Sequence, residues 1–280
     1  MSSGRRHAAL ALFVLVALGV AAAVAFAHPD PNERIEALGF ALERHPDDPQ
    51  LWIERADQYL QVGNPAAALR DLDRAESIAP YRPEVPLQRG AAFLALGRPA
   101  DAERQLGFAI ERDPASDVAR VLRGRALIAL GRAREAARDF ERGIQLSARP
   151  SPDQYLEWGR ALVEAGRIAE ALRALDRGLT AVGESPALIE EAVRIECAHG
   201  AYDAALERIE RHPAAWGSRP AQRARRGDVL RAAGRELEAQ AEYSAALAEL
   251  EAGSRRRGVS PLEARLHEAL RQGPPVTAAP

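Results

Sequence analysis

PQLWIERADQYLQVGNPAAALRDLDRAESIAPYR, residues 49–82, decides the fold. Gly63 in its middle ends one helix in a left-handed turn and lets the chain double back into a second. The same glycine returns at 97, 131, 166, 200 and 234, so that successive steps are 34, 34, 35, 34 and 34 residues. Seven positions before each glycine stand Ala56, Gly90, Gly124, Gly159, Val193 and Gly227. Five after it stand Ala68, Ala102, Ala136, Ala171, Ala205 and Ala239. Nine after it stand Leu72, Leu106, Phe140, Leu175, Ile209 and Tyr243.

The residue types follow from packing. The small residue before the turn and the alanine after it face each other where two antiparallel helices cross. A bulky side chain at either place would hold the axes farther apart than the usual 8–10 Å or so. The large apolar residue on the second helix fills the space beside that crossing. A unit this short cannot bury its apolar face alone and must stack on its neighbours. The spacing therefore predicts an all-α, right-handed α-solenoid of about six helix–turn–helix repeats.

The pattern resembles the tetratricopeptide repeat (TPR) family, whose unit is 34 residues with small residues at places 8, 20 and 27 and a proline near 32. The first full unit supplies Trp52, Ala56, Tyr59, Ala68, Leu72, Ala75 and Pro80 at places 4, 8, 11, 20, 24, 27 and 32. The second supplies Gly90, Phe93, Ala102, Leu106, Ala109 and Pro114 from place 8 onward. Pro46, 34 before Pro80, makes residues 32–44 a lone second helix capping the array. Residues 261–271 form a terminal helix capped by Ser260. Departures are local. Pro86, Arg120 and Arg223 replace the usual aromatic at place 4. Unit five carries Val193 and Glu196 where a small and a large apolar residue are expected, and His212-Pro213 cuts its second helix short. Residues 214–219, with Trp216, are expected to be an irregular connection, so the repeat pattern defines the stacking of units five and six least well.

Composition agrees with helices. Aromatic residues are 5% of the 280 and apolar residues 47%, with alanine and leucine abundant. No run alternates with period two. The formal net charge of −2 gives no global field for nucleic acid or an anionic membrane, and Arg255-Arg256-Arg257 reads as a solvated turn. Every basic side chain besides histidine is arginine. With Cys197 as the only cysteine, no intrachain disulfide is possible, and the thiol is expected to be buried and inert. His45 and His212, each in Glu-Arg-His-Pro, suit the negative end of a helix.

Arg5, Arg6 and His7 precede an uncharged apolar stretch, residues 8–27, that closes on Ala25-Phe26-Ala27. This is the order of a secretory signal, and the stretch is also about long enough to span a bilayer. Residues 1–27 are thus a cleaved signal peptide or an uncleaved membrane anchor, 28–272 the repeat domain, and 273–280 a disordered tail. The repeat domain is expected in the periplasm or outside the cell, touching the membrane only through 8–27 if that segment stays.

The resemblance implies a partner-binding groove lined by first helices. Places 5 and 12 give an apolar stripe of Ile53, Leu60, Leu87, Leu94, Val121, Ile128, Leu156 and Val163. Place 9 gives an arginine ladder, Arg125, Arg160 and Arg194. One reading is a groove for a protein or peptide segment with apolar and acidic side chains. The other is that Glu157, Glu164, Glu190 and Glu191 neutralise the ladder while the stripe packs internally. Catalytic loops, phosphate loops and metal-ligand spacings are missing from the sequence, so no enzyme, cofactor or metal role is read. The expected function is an exported interaction scaffold; the alternatives are an envelope-complex assembly factor with a defined client and, supported by no spacing, an enzyme or metal carrier with an unrecognised site.

Overall fold

The computed structural model describes residues 30–253 and 260–271. The signal or anchor expected at 1–27 and the tail expected at 273–280 lie outside the described residues. Among those described, the chain forms fourteen α-helices and one 3₁₀ turn. The fold is an α-solenoid of helix–turn–helix repeats, as the spacing requires. The described residues divide into two compact units, one up to 130 and the other from 131 onward.

The first unit holds α1 (Pro31–Arg44), α2 (Pro49–Gln61), α3 (Pro65–Ile78), α4 (Glu84–Ala95), α5 (Pro99–Arg112) and α6 (Asp117–Ala129). Each helix packs on the next, and α4 also lies against α2 and α6. Starts are set by capping. Asp48 Oδ1 accepts from the Gln50 backbone N–H at 2.9 Å, and Ser116 Oγ from that of Ala119 at 3.1 Å. The fixed φ of Pro49, Pro65 and Pro99 suits the first helical turn. Ends are set by the periodic glycines, with φ of 73° at Gly63 and 66° at Gly97. The core is the expected small-to-large packing. Ala56, Ala68 and Leu72 are fully buried and cluster with Ile53, Ala75 and Val85. A methyl group added to Gly90 would sit 2.4 Å from Leu106 Cγ, which is why place 8 stays small.

The second unit holds α7 (Ala133–Leu146), α8 (Pro152–Glu164), α9 (Ile168–Val182), α10 (Pro186–Ala198), α11 (Tyr202–Arg211), the 3₁₀ turn Pro213–Trp216, α12 (Arg219–Ala232), α13 (Glu236–Gly253) and α14 (Pro261–Arg271). Consecutive helices pack along the chain from α7 to α14, and α8 also touches α10. Ser151 and Gln154 form a reciprocal capping box on α8. Ser260 and Glu263 do the same on α14, the terminal helix expected from its Ser-Pro start.

Unit five departs from the repeat where its sequence does. His212 caps α11, which stops at ten residues, and Pro213 starts the 3₁₀ turn. That turn touches both α10 and α12. Trp216 packs on a cluster of Val193, Ala205, Ile209 and Val229. The break is thus a wedge with its own core contact, and α11 still packs on α12.

Candidate functional site

The apolar stripe of the first unit divides by depth. Ile53 and Val121 are buried, at 3% and 6% exposure, so both belong to the core. Leu60 packs beside Ile53, and Leu87 and Leu94 pack on Ala102, Leu106 and Ala126. With Ile128 these leucines are half-buried and show one edge to solvent. Arg125 is exposed on α6.

In the second unit the structure brings two ladder arginines together. Arg160 on α8 and Arg194 on α10 both donate to Oε1 of Glu191, from Nε at 3.0 Å and from Nη2 at 2.7 Å. Arg194 Nε also donates to Oε2 at 3.0 Å. Glu191 is 6% exposed while the arginines are 58% and 55% exposed. One sunken carboxylate thus holds two guanidiniums whose outer edges face water. Hydrogen bonding from Arg194 above all, reinforced by Arg160, holds the Glu191 carboxyl below its usual range. Leu156 and Val163, half-buried, stand four before and three after Arg160 and so share its face of α8.

Of the carboxylates expected to neutralise the ladder, Glu191 does so for two arginines. Glu190 pairs instead with Arg225 on α12 at 2.5 Å. From there the chain of charges continues through Asp228, 3.9 Å from Arg225, to Arg265 of α14. Spacing alone does not single out this second network. Its only signal in the sequence is Arg225 and Asp228, three apart and so on one face of α12.

Cys197 is half-buried beside the Val193 cluster, and burial pushes its thiol up and away from the reactive thiolate. Among the described residues, no group of three or more His, Cys, Asp or Glu side chains could hold a metal ion.

Two family models match the chain. One, described as a tetratricopeptide repeat, covers residues 25–83 and 87–154; the other, a tetratricopeptide repeat-like domain, covers 156–267. The chain is built of tetratricopeptide repeats. Solved TPR structures share the fold at low identity. The C-terminal part of a TPR repeat-containing protein from Cytophaga hutchinsonii is 16% identical with a TM-score of 0.66, over 89% of this chain and 98% of that one. A TPR protein from Parabacteroides merdae is 18% identical, TM-score 0.52, over 85% and 90%. YrrB, described as a TPR protein with an unusual peptide-binding site, is 16% identical, TM-score 0.55, over 67% and 96%. No curated protein sequence matches at a significant level.

Proposed function

We propose that this TPR chain is an exported scaffold whose first-helix face in the second unit holds an acidic segment of another protein. The observation that carries the reading is the pair Arg160 and Arg194 sharing the single carboxylate of Glu191. Two positive charges meet one negative charge, so the cluster keeps a net positive charge and unused N–H donors on its exposed side. A partner carboxylate placed there would receive bidentate, charge-assisted hydrogen bonds. Leu156 and Val163 offer apolar contact on either side of Arg160. In the first unit the half-buried edges of Leu60, Leu87, Leu94 and Ile128 give the same kind of apolar contact, with Arg125 exposed among them. The peptide-binding site described for YrrB supports binding by a repeat array of this fold.

Export rests on the basic, apolar and small-residue order of residues 5–27. Among the described residues no helix is long and apolar enough to cross a membrane, so attachment would fall to residues 8–27. N-terminal sequencing of protein from the envelope fraction should find His28 first, or Met1 on membrane-bound protein. Met1 on soluble cytoplasmic protein would refute export.

The binding reading is tested by placing a photo-crosslinking amino acid at Leu156 in live cells. A discrete crosslinked partner is expected, and its yield should collapse when Arg125, Arg160 and Arg194 are all changed to glutamate. Equal capture by the charge-reversed chain would remove the arginines from the account.

A further inference from the structure

In the second unit a crevice of about 70 Å³ is lined by α7 and α9, both second helices, and by Trp158 and Leu162 of α8. Its floor is carbon: Ala137, Trp158, Leu162 and Ala174 are each 6% exposed or less. A cavity needs roughly 10–15 Å³ to hold even one water, so the crevice has room for a small side-chain group. The rim is charged by Arg138, Glu141, Arg167, Glu170, Arg173 and Arg177. Four arginines and two glutamates leave an excess of two positive charges.

The arginines are not equally engaged. Arg167 chelates Glu170 from the turn that starts α9, with Nε 2.7 Å from Oε1. Arg177 lies 5.6 Å from the centre of the Trp158 ring and 3.6 Å from Glu141. That ion pair is loose and exposed, 64% and 43% on its two sides, so it contributes little. Arg138 and Arg173 have no carboxylate partner among the described residues. A wider, open groove continues from Arg173 and Arg177 along α9 past Asp176, whose carboxylate is held by Arg208, to Thr180 and Ala181.

We infer that this crevice is a second docking site, for a peptide segment carrying an aliphatic side chain between two carboxylates. The apolar floor takes the aliphatic group, which a bare inorganic anion would leave unfilled. The two unpartnered guanidiniums and the excess of two charges match the flanking carboxylates. The open groove along α9 gives an extended backbone a path out. With the face of Arg160 and Arg194 on the first helices, the second unit would engage two acidic segments at once, and linked segments would gain avidity.

The test uses the full chain and acetyl-Glu-Leu-Glu-amide, followed by calorimetry and tryptophan fluorescence at low salt. Saturable binding with a fluorescence change is expected, because Trp158 forms the floor. The double variant R138Q/R173Q, on exposed positions that leave the core intact, should weaken binding by roughly tenfold or more. W158F should lose most of the fluorescence change. Acetyl-Gln-Leu-Gln-amide should not bind. R160E/R194E should bind the peptide here as the unaltered chain does, which separates this site from the one on the first helices. The inference falls if R138Q/R173Q binds equally well, if only R160E/R194E loses binding, or if inorganic phosphate binds as tightly as the peptide.

Discussion

Arg208 of α11 and Glu196 of α10 form an ion pair sealed from solvent, their side chains 8% and 4% exposed and 2.8 Å apart. Arg208 Nε reaches both carboxylate oxygens, at 3.0 and 3.1 Å, while Nη1 donates to Asp176 on α9 at 2.6 Å. The fork therefore ties three consecutive helices at the point where unit five departs from the repeat. Removing one member of such a pair strands a buried charge and costs about 3–5 kcal/mol. Arg208→Ala, which strands Glu196, should lower stability by that order in urea denaturation, and Glu196→Ala by less, because Asp176 still holds Arg208. Glu196→Leu with Arg208→Leu should cost clearly less than Arg208→Ala, because no buried charge is left behind and Asp176, 53% exposed, stays solvated.

Glycine at place 8 and glycine on an open surface should respond to alanine with opposite signs. A methyl on Gly227 would lie 2.5 Å from Tyr243 Cε1 and 2.7 Å from Cδ1, against a ring that cannot swing aside. Overpacking of this kind costs about 1–3 kcal/mol, more than the gain of up to ~1 kcal/mol from replacing a helical glycine. Gly107 on α5 has nothing within 4 Å of the same added atom. Gly107→Ala should stabilise by up to about 1 kcal/mol, and Gly227→Ala should destabilise. The paired midpoints in thermal denaturation check both at once.

These glycines also mark what a sequence can reveal. The 34-residue columns are local packing rules repeated, so Gly90 over Leu106 and Gly227 over Tyr243 are readable from spacing alone. Glu196 reads in the sequence only as a departure, because its partner Arg208 stands twelve residues on and no periodic rule links the two. The candidate site is legible to the same extent. The family's places pick out Arg160 and Arg194, and Glu191 is among the carboxylates expected near them. That a single sunken Glu191 serves both arginines depends on how deeply α10 sits against α8, which spacing does not encode. Ile53 and Val121 occupy groove places in sequence yet lie in the core, since neighbouring helices close over them.

Tyr243 gives the fold an alkaline limit. Burial first, and then the nearby Asp228 carboxylate, push its phenol up to about 12, and the hydroxyl donates to Asp228 Oδ1 at 3.1 Å. An unfolded tyrosine loses its proton near 10 or so. Below that value both states hold the proton and no stability is at stake. Above it the unfolded chain gains by ionising while the folded chain resists, so stability should fall as pH rises from about 10 to about 12. The chain has no lysine to titrate in this range. Tyr243→Phe should flatten the decline in urea midpoints over that interval, leaving the smaller shares from Tyr155 and Cys197, whose phenol and thiol burial also raises.

Glu191 and a partner's carboxylate would compete for the same two guanidiniums, which gives the proposed face its own signature. The hydrogen bonds from Arg194 and Arg160 lower the folded-state pKa of Glu191. Its stabilisation is therefore complete above the ordinary carboxylate range and lost as pH falls through the lowered value. Glu191→Gln removes that acid-labile contribution and should cost about 1–3 kcal/mol at neutral pH, the worth of charged hydrogen bonds made by half-exposed arginines. The same change frees Arg160 and Arg194, so an acidic segment bound on this face should be held several-fold more tightly by the variant. Weaker binding by Glu191→Gln, measured by calorimetry with the crosslinked partner's acidic segment, would mean instead that Glu191 fixes the two arginines in the geometry the ligand needs. The shared carboxylate would then be a positioning residue, and the loss should be recovered by Glu191→Asp only if the shorter side chain still reaches both guanidiniums.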